Sequence, residues 1–277
     1  MEILGKYLVY KDVLLPVHGF SMPEVPGTIS LYEVLRIINR IPLFIEDHLE
    51  RFENSASLAG CKLPYSREKL SGLIIELIRN NPFEDANILL NVTFNPEDLV
   101  NSVVFLSCFV EHHYPTEEQY QYGVDTITLA AVRHNPNAKL FDKNLRGHAN
   151  QLREDFGVNE VLLVDGEDCI TEGSRSNIFF IKGNQVITPP QQFVLPGITR
   201  KYIIETCSGL GYNISEQRTQ VSELGGFDAA FITGTSPKAL PVRRIDAFTY
   251  RVDDPVMRSI MRGFDVLIRS YLENYSK

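Results

Sequence analysis

Long apolar runs are missing from this chain. No stretch reaches the roughly 18 to 20 residues that span a bilayer, and the opening residues, MEILGKYLVYKD, place no apolar core behind a basic start. Neither secretion nor a membrane partner is expected. Positive charge is also short: 27 Lys+Arg stand against 35 Asp+Glu, for a formal net charge of −8 and a pI near 5.3. That balance works against capture of nucleic acid, although an acidic protein can still bind a single phosphate through local donors. Cysteine is sparse. Cys61, Cys108, Cys169 and Cys207 lie far apart with no C-x-x-C pair, so neither a disulfide framework nor a zinc cluster is indicated, and no metal is expected. A reducing cytoplasm is the expected location. Internal repeats and low-complexity tracts are absent too.

What is present is an ordinary globular composition. The 277 residues, 44% hydrophobic and 22% charged, suffice for two modest domains. Loose alternation from Tyr7 to Val17 reads as strands and turns. In PLFIEDHLERFENSASLAG, Leu49, Phe52, Ala56 and Ala59 recur at helical spacing and Gly60 supplies a stop, which predicts a helix over 47–59. Ser66 then caps a second helix with Leu70, Leu73, Ile74, Leu77 and Ile78 on one face. ANILLNVTF and NSVVFLSCFV read as buried strands around the turn NPED.

HHYPTEEQYQYG is polar and holds a proline and a glycine, the pattern of a linker. His112 and His113 are read as part of it, since adjacent residues in an extended segment point oppositely and suit no common metal. The expected organisation is a small N-terminal α+β domain over 1–114, a linker over 115–122 and a larger C-terminal α+β domain over 123–277. In the latter, the strands DTITLAAV, EVLLVD, NIFFI and AAFIT alternate with helices near 143–156, 199–209 and 255–273.

Three short segments carry chemistry. TEGSRSN at 171–177 sets Glu172 between a turn and a strand, where it serves either as a solvated turn carboxylate or as a partner for a cofactor. VLPGITRKYIIE starts a helix at Gly197, Ile198 and Thr199. Free amides at a helix start make an anion site, and a simple cap with Thr199 as its hydroxyl explains the same residues. FITGTSPKALPV ends a strand in Thr233, Gly234, Thr235 and Ser236, a second turn of small hydroxyl residues.

Taken in order, YEVLR at 32–36, HLER at 48–51, PNAK at 136–139, TEGSRSN at 171–177, LPGITR at 195–200 and the stretch from ITGT to PV at 232–242 resemble the fold-type-IV pyridoxal-phosphate enzymes. These are the branched-chain aminotransferases, D-amino-acid aminotransferases and aminodeoxychorismate lyases. The resemblance implies their two-domain fold, pyridoxal 5′-phosphate as cofactor, amino acids and keto acids as substrates, and a homodimer. It implies that Lys139 carries the cofactor as an aldimine and that Glu172 meets the pyridine nitrogen. Arg51, the amides of Ile198 and Thr199, and Thr235 would hold the phosphate, and Leu195 would pack on the ring. Lys143 rivals Lys139. Glu172 follows Lys139 by 33 residues, as in the family, and Lys143 by only 29, inside the next helix.

Arg133 and Asn144 are further candidates, Arg133 for a carboxylate or ring contact and Asn144 for the cofactor's phenolate oxygen. Branched-chain aminotransferases usually have a tyrosine in the latter place. The arginine and histidine with which D-amino-acid aminotransferases grip the substrate carboxylate are missing from NVTFNPED, which disfavours that subclass. Tyr32 and Ser236 remain as substrate donors. The expected activity is amino transfer between an amino acid and an α-keto acid, with 4-amino-4-deoxychorismate lyase, which releases pyruvate and 4-aminobenzoate, as the alternative.

Overall fold

The computed structural model describes residues 2–23, 27–99 and 102–275. They form two compact units, the first built from the described residues up to 113 with 138–141 and 271–275, and the second from 114–137 and 142–270. Both are mixed helix and sheet, as expected.

The first unit runs β1 (Ile3–Tyr10), β2 (Val13–Pro16), β3 (Ile29–Ile38), β4 (Ile41–Pro42), α1 (Ile45–Leu58), α2 (Arg67–Asn80), β5 (Ala86–Phe94) and β6 (Val104–Val110). Asn101, the first residue of the run expected to form β6, lies outside the described residues. The six strands follow the order β2-β1-β6-β5-β3-β4, and every neighbouring pair is antiparallel. Period-two alternation decides what each face of β3 does. Leu31, Leu35 and Ile37 are buried with Ile88, Leu90 and Val92 of β5 beneath Leu49 and Phe52 of α1 and Leu70, Leu73, Ile74 and Leu77 of α2. Each such side chain contributes about 1.5–3 kcal/mol of transfer free energy.

Helix α1 begins two residues before the expected position. Phe44, in left-handed backbone (φ 55°), precedes it without a side-chain cap, and Glu46 and Asp47 place negative charge in the first turn instead. Gly60, at φ 71°, closes the helix as expected. Cys61 N–H donates to Ala56 O and Gly60 N–H to Ser57 O, the paired bonds of a left-handed helix end. Ser66 caps α2 by accepting from Lys69 N–H at 3.3 Å.

The second unit contains α3 (Glu117–Tyr122), β7 (Val124–Ala130), α4 (Lys143–Phe156), β8 (Glu160–Val164), β9 (Cys169–Gly173), β10 (Asn177–Lys182), β11 (Gln185–Thr188), α5 (Ile198–Gly209), β12 (Asn213–Glu216), β13 (Thr219–Gln220), β14 (Ala229–Gly234), β15 (Lys238–Ile245), β16 (Phe248–Thr249) and, up to Ser270, α6 (Pro255–Tyr275). The strand order is β12-β11-β10-β14-β15-β7-β8-β9-β13, with β16 on β15. β7 pairs in parallel with both β8 and β15. All five residues of β8 and of β9 are buried, the pattern of strands covered on both faces. Gly263 of α6 lets that helix pass close to α5, since a Cβ there would lie 2.7 Å from Thr206 Cγ2.

The 115–122 stretch, expected as a linker, holds the short helix α3. Thr116 Oγ1 accepts from Gln119 N–H, and Gln119 Oε1 accepts from Thr116 N–H, a reciprocal cap that explains the polar composition. Arg258 of α6 donates to the Tyr120 and Gln121 carbonyls at 2.7 and 2.8 Å, so the segment is part of the second unit. Two pieces expected in the larger domain, 138–141 and 271–275, belong instead to the first unit.

Candidate active site

In the first unit the site grows from β3, α1 and the segment carrying Lys139. That segment runs beside β3: Tyr32 N–H donates to Lys139 O at 3.1 Å, Phe141 N–H to Ser30 O at 2.9 Å, and Leu31 bridges Leu140. Lys139 N–H donates to Ser55 Oγ of α1 at 3.1 Å. The backbone of Lys139 is thus tied on both sides, and its Nζ lies 5.2 Å from the centroid of the Tyr32 ring, within reach of a cation–π attraction. The two residues expected to serve chemistry and substrate therefore meet.

Helical spacing sets His48, Arg51 and Ser55 on the buried side of α1. Arg51 donates from Nε to Glu33 Oε1 at 2.7 Å and from Nη2 to Oε2 at 2.6 Å. His48 Nδ1 lies 2.9 Å from Oε2; since a carboxylate only accepts, that nitrogen carries the proton. Burial pushes the Glu33 carboxyl up, but the Arg51 and Lys139 charges and the bonds from His48 and Arg51 outweigh it and hold the group well below the usual carboxylate range. Burial acts oppositely on His48 and, against the pull of Glu33, lowers its imidazole below 6.5, so the ring is neutral at pH 7. Glu33 and His48 were not among the expected site residues. The signal was there: a carboxylate in the inward register of a strand between Leu31 and Leu35 needs a cation, and HLER puts a histidine and an arginine on one helix face.

In the second unit the three remaining motifs meet. Glu172 of β9 is 2% exposed. Its Oε1 accepts from Arg133 Nε at 2.8 Å and its Oε2 from Leu195 N–H at 3.1 Å. It is therefore not a solvated turn residue. Arg133, expected on substrate or ring, binds Glu172 and also donates from Nη2 to Ser174 O at 3.2 Å. The EGSRSN turn is organised by Glu160, also outside the expected set. This buried carboxylate accepts from Ser174 Oγ at 2.7 Å, Ser176 Oγ at 2.8 Å, Arg175 N–H at 3.2 Å and Val161 N–H at 2.9 Å. Gly173 is required there, because a Cβ would lie 2.1 Å from Ser176 Oγ.

The LPGIT loop is held by two asparagines. Asn177 Nδ2 donates to Leu195 O at 3.0 Å, and Asn137 Nδ2 to Gln191 O and Val194 O at 2.9 and 3.0 Å. Ile198 and Thr199 open α5, each 8% exposed, and the cap position is Gly197 with no side-chain bond. Thr199 is therefore not the capping hydroxyl. A Cβ on Gly197 would lie 2.1 Å from Asn177 Oδ1, so glycine permits this close packing. Asn177 pairs with Thr233 across β10 and β14, next to the turn that holds Thr235 and Ser236 between β14 and β15. Asn144 and the rival Lys143 are both exposed in the first turn of α4, which Asp142 caps by accepting from Leu145 N–H at 2.9 Å.

Among known families, the one described as amino-transferase class IV has a model that matches residues 30–245. A D-alanine aminotransferase from Bacillus licheniformis is 30% identical over 228 residues, 79% of this chain and 80% of that one. A branched-chain-amino-acid aminotransferase from Pseudomonas aeruginosa is 28% identical over 214 residues, 73% and 70% of the two chains. Among solved structures, the branched-chain aminotransferase from the thermophilic archaeon Thermoproteus uzoniensis, with norvaline, superimposes with a TM-score of 0.86 at 23% identity, covering 98% of this chain and 97% of that one. That likeness is one of fold. The family model spans all six motifs, and on that ground the chain belongs to the class IV aminotransferases.

Proposed function

We propose that the protein binds pyridoxal 5′-phosphate and transfers an amino group between an amino acid and an α-keto acid. The setting of Lys139 carries this reading. Its amine stands over Tyr32, and its backbone is fixed from β3 and α1, which suits a nucleophile whose position matters more than its mobility.

The donor set fits the cofactor. A primary amine, a guanidinium, a buried carboxylate and the amides opening α5 are the groups it requires, and Gly197 gives the backbone there no Cβ. Two protein donors on Glu172 do not bar a third of the pyridinium kind, since a carboxylate has about four acceptor positions. When bound, the cofactor supplies an electron sink for the carbanion left when the α-proton departs.

Lys139 would hold the cofactor covalently and, once displaced, carry that proton on Nζ. Glu172 would favour a protonated ring nitrogen by charge pairing, with Arg133 and Leu195 N–H keeping the carboxylate oriented. Arg51, the amides of Ile198 and Thr199, and Thr235 would receive the phosphate, and Leu195 would cover the ring. Tyr32 and Ser236 are the proposed donors to the substrate carboxylate, and Asn144 the partner of the phenolate oxygen. The four cysteines are free and buried, which suits a cytoplasmic setting, and the active form is proposed to be a homodimer. A native mass showing only monomer would contradict that last point.

Borohydride reduction of the pyridoxal-phosphate-treated protein, then peptide mapping, tests the site. Label is expected on Lys139; label on Lys143, or on no lysine, overturns the reading. Asn144 in place of the tyrosine usual in branched-chain aminotransferases weakens a direct branched-chain assignment and leaves the lyase as the alternative. Release of pyruvate from aminodeoxychorismate, without conversion of pyridoxal 5′-phosphate to pyridoxamine 5′-phosphate by common amino acids, would establish it instead.

A further inference from the structure

Glu33 is fully buried, yet basic side chains of the first unit converge on it. Its register in β3 is that of Leu31 and Leu35, where an apolar residue would satisfy the fold without a partner. A carboxylate there is costly unless paired and hydrogen-bonded. Arg51 supplies two parallel bonds at 2.7 and 2.6 Å, and His48 a third at 2.9 Å. Two-point pairing of this kind fixes the plane of a guanidinium as well as its position, which a lysine could not reproduce.

The consequence concerns Arg51 more than Glu33. A free arginine side chain samples many rotamers, and freezing it beforehand removes that entropic cost from any binding event it serves. The positive charges of Arg51 and Lys139 both act on Glu33, so its negative charge also offsets their mutual repulsion before an anion arrives. Resting on the reading in which Arg51 serves a phosphate, we infer that Glu33 is the positioning residue that holds the Arg51 guanidinium in its phosphate-receiving orientation. Preference for a phosphorylated ligand is thereby set by a carboxylate that does not touch that ligand.

The test compares two probes on the full chain freed of bound ligand: pyridoxal 5′-phosphate, and pyridoxal, which lacks the phosphate. Dissociation constants come from the visible absorbance that develops on attachment to lysine, and their ratio is the phosphate preference. In Glu33→Gln the preference is expected to fall at least about tenfold, equivalent to 1.4 kcal/mol, while pyridoxal affinity changes less than about twofold. Glu33→Asp keeps the charge and is expected to recover part of the loss. Equal weakening of both probes, or an unchanged ratio in both variants, overturns the inference and leaves the proposed function standing. Should Glu33→Gln fold poorly, Arg51→Gln and the double variant Glu33→Gln/Arg51→Gln, which leaves no Arg51 charge without Glu33, replace it. They are expected to share one phosphate preference, and a further drop in the double variant overturns the inference. If the parent attaches neither probe, or shows no preference for the phosphate, the functional reading fails and this inference with it.

Discussion

Arg133 Nε donates to Glu172 Oε1 at 2.8 Å, with their side chains 8% and 3% exposed. The carboxylate proposed for the ring nitrogen is thus anchored within its own unit, and altering it does more than remove a cofactor contact. As a cofactor contact alone, Glu172 replaced by Gln would impair chemistry and leave the fold. The structure adds a cost, because the amide leaves the buried Arg133 charge without its anion. Breaking one side of a buried pair costs about 3–5 kcal/mol, and the retained Leu195 N–H bond offsets only part of it. Glu172→Gln is therefore expected to lose at least about a hundredfold in turnover, as removing a preorganised charge interaction does, and also to unfold at lower urea. A variant with unchanged urea midpoint would show that the pair contributes no net stability.

Acid should weaken the first unit in two stages. His48 has its pKa lowered in the fold, so below about 6.5 the unfolded chain takes up a proton that the native ring resists, and stability falls as pH drops. Glu33 also has its pKa lowered. Its contribution is complete above its unfolded value of about 4.5 and is lost progressively as pH falls from there toward its depressed native value. Unfolding free energy measured from pH 8 to pH 4 should fall with a slope that begins near pH 6.5 and steepens near 4.5. In His48→Gln the upper stage should vanish while the lower persists. A flat profile down to pH 5 in the parent would contradict the neutral buried imidazole.

Much of this was legible in the sequence because periodicity and capping are local. Ser66 and Gly60 sit at the ends of their helices as expected, and the apolar face of α2 is buried. What escaped was long-range. The pairing of Glu33 with His48 and Arg51 joins residues 15 and 18 apart, and that of Arg133 with Glu172 joins residues 39 apart, separations no helical or strand period encodes. The polar stretch PTEEQYQY at 115–122 looked like a linker because the residues that make a reciprocal helix cap, Thr116 and Gln119, have the composition of a loop. Asn137 and Asn177 fall within recognisable motifs, but nothing local reveals that their amides support a loop near residue 195.

Glu160 makes a further case. Four donors converge on this carboxylate, two of them serine hydroxyls that can rotate and two of them backbone N–H groups that cannot. Glu160→Gln turns one oxygen into a donor. A serine can adapt to that change, but either Val161 N–H or Arg175 N–H then faces a donor. An unsatisfied buried donor costs about 1–3 kcal/mol, and denaturant unfolding should show a loss in that range. Because the same bonds shape the turn that follows Glu172, turnover should fall too. Loss of activity without loss of stability would indicate that Glu160 acts through something other than this network.

Gly197→Ala probes the start of α5 without altering charge. Its φ of −64° suits alanine, and a backbone-entropy argument alone predicts a gain of about 0.4–1 kcal/mol. Sterics oppose that gain. The new Cβ would lie 2.1 Å from Asn177 Oδ1, and Asn177 is 6% exposed with its Nδ2 committed to Leu195 O, so it has little room to withdraw. Overpacking of this kind costs about 1–3 kcal/mol, which outweighs the entropic gain, and the melting temperature should fall. If the amides of Ile198 and Thr199 receive a phosphate, the displaced loop should also weaken pyridoxal 5′-phosphate more than pyridoxal. Asn177→Ala in the same background removes the colliding oxygen and should recover stability relative to Gly197→Ala alone. A melting temperature unchanged by Gly197→Ala would mean that Asn177 yields at no cost and that the glycine is not needed for packing.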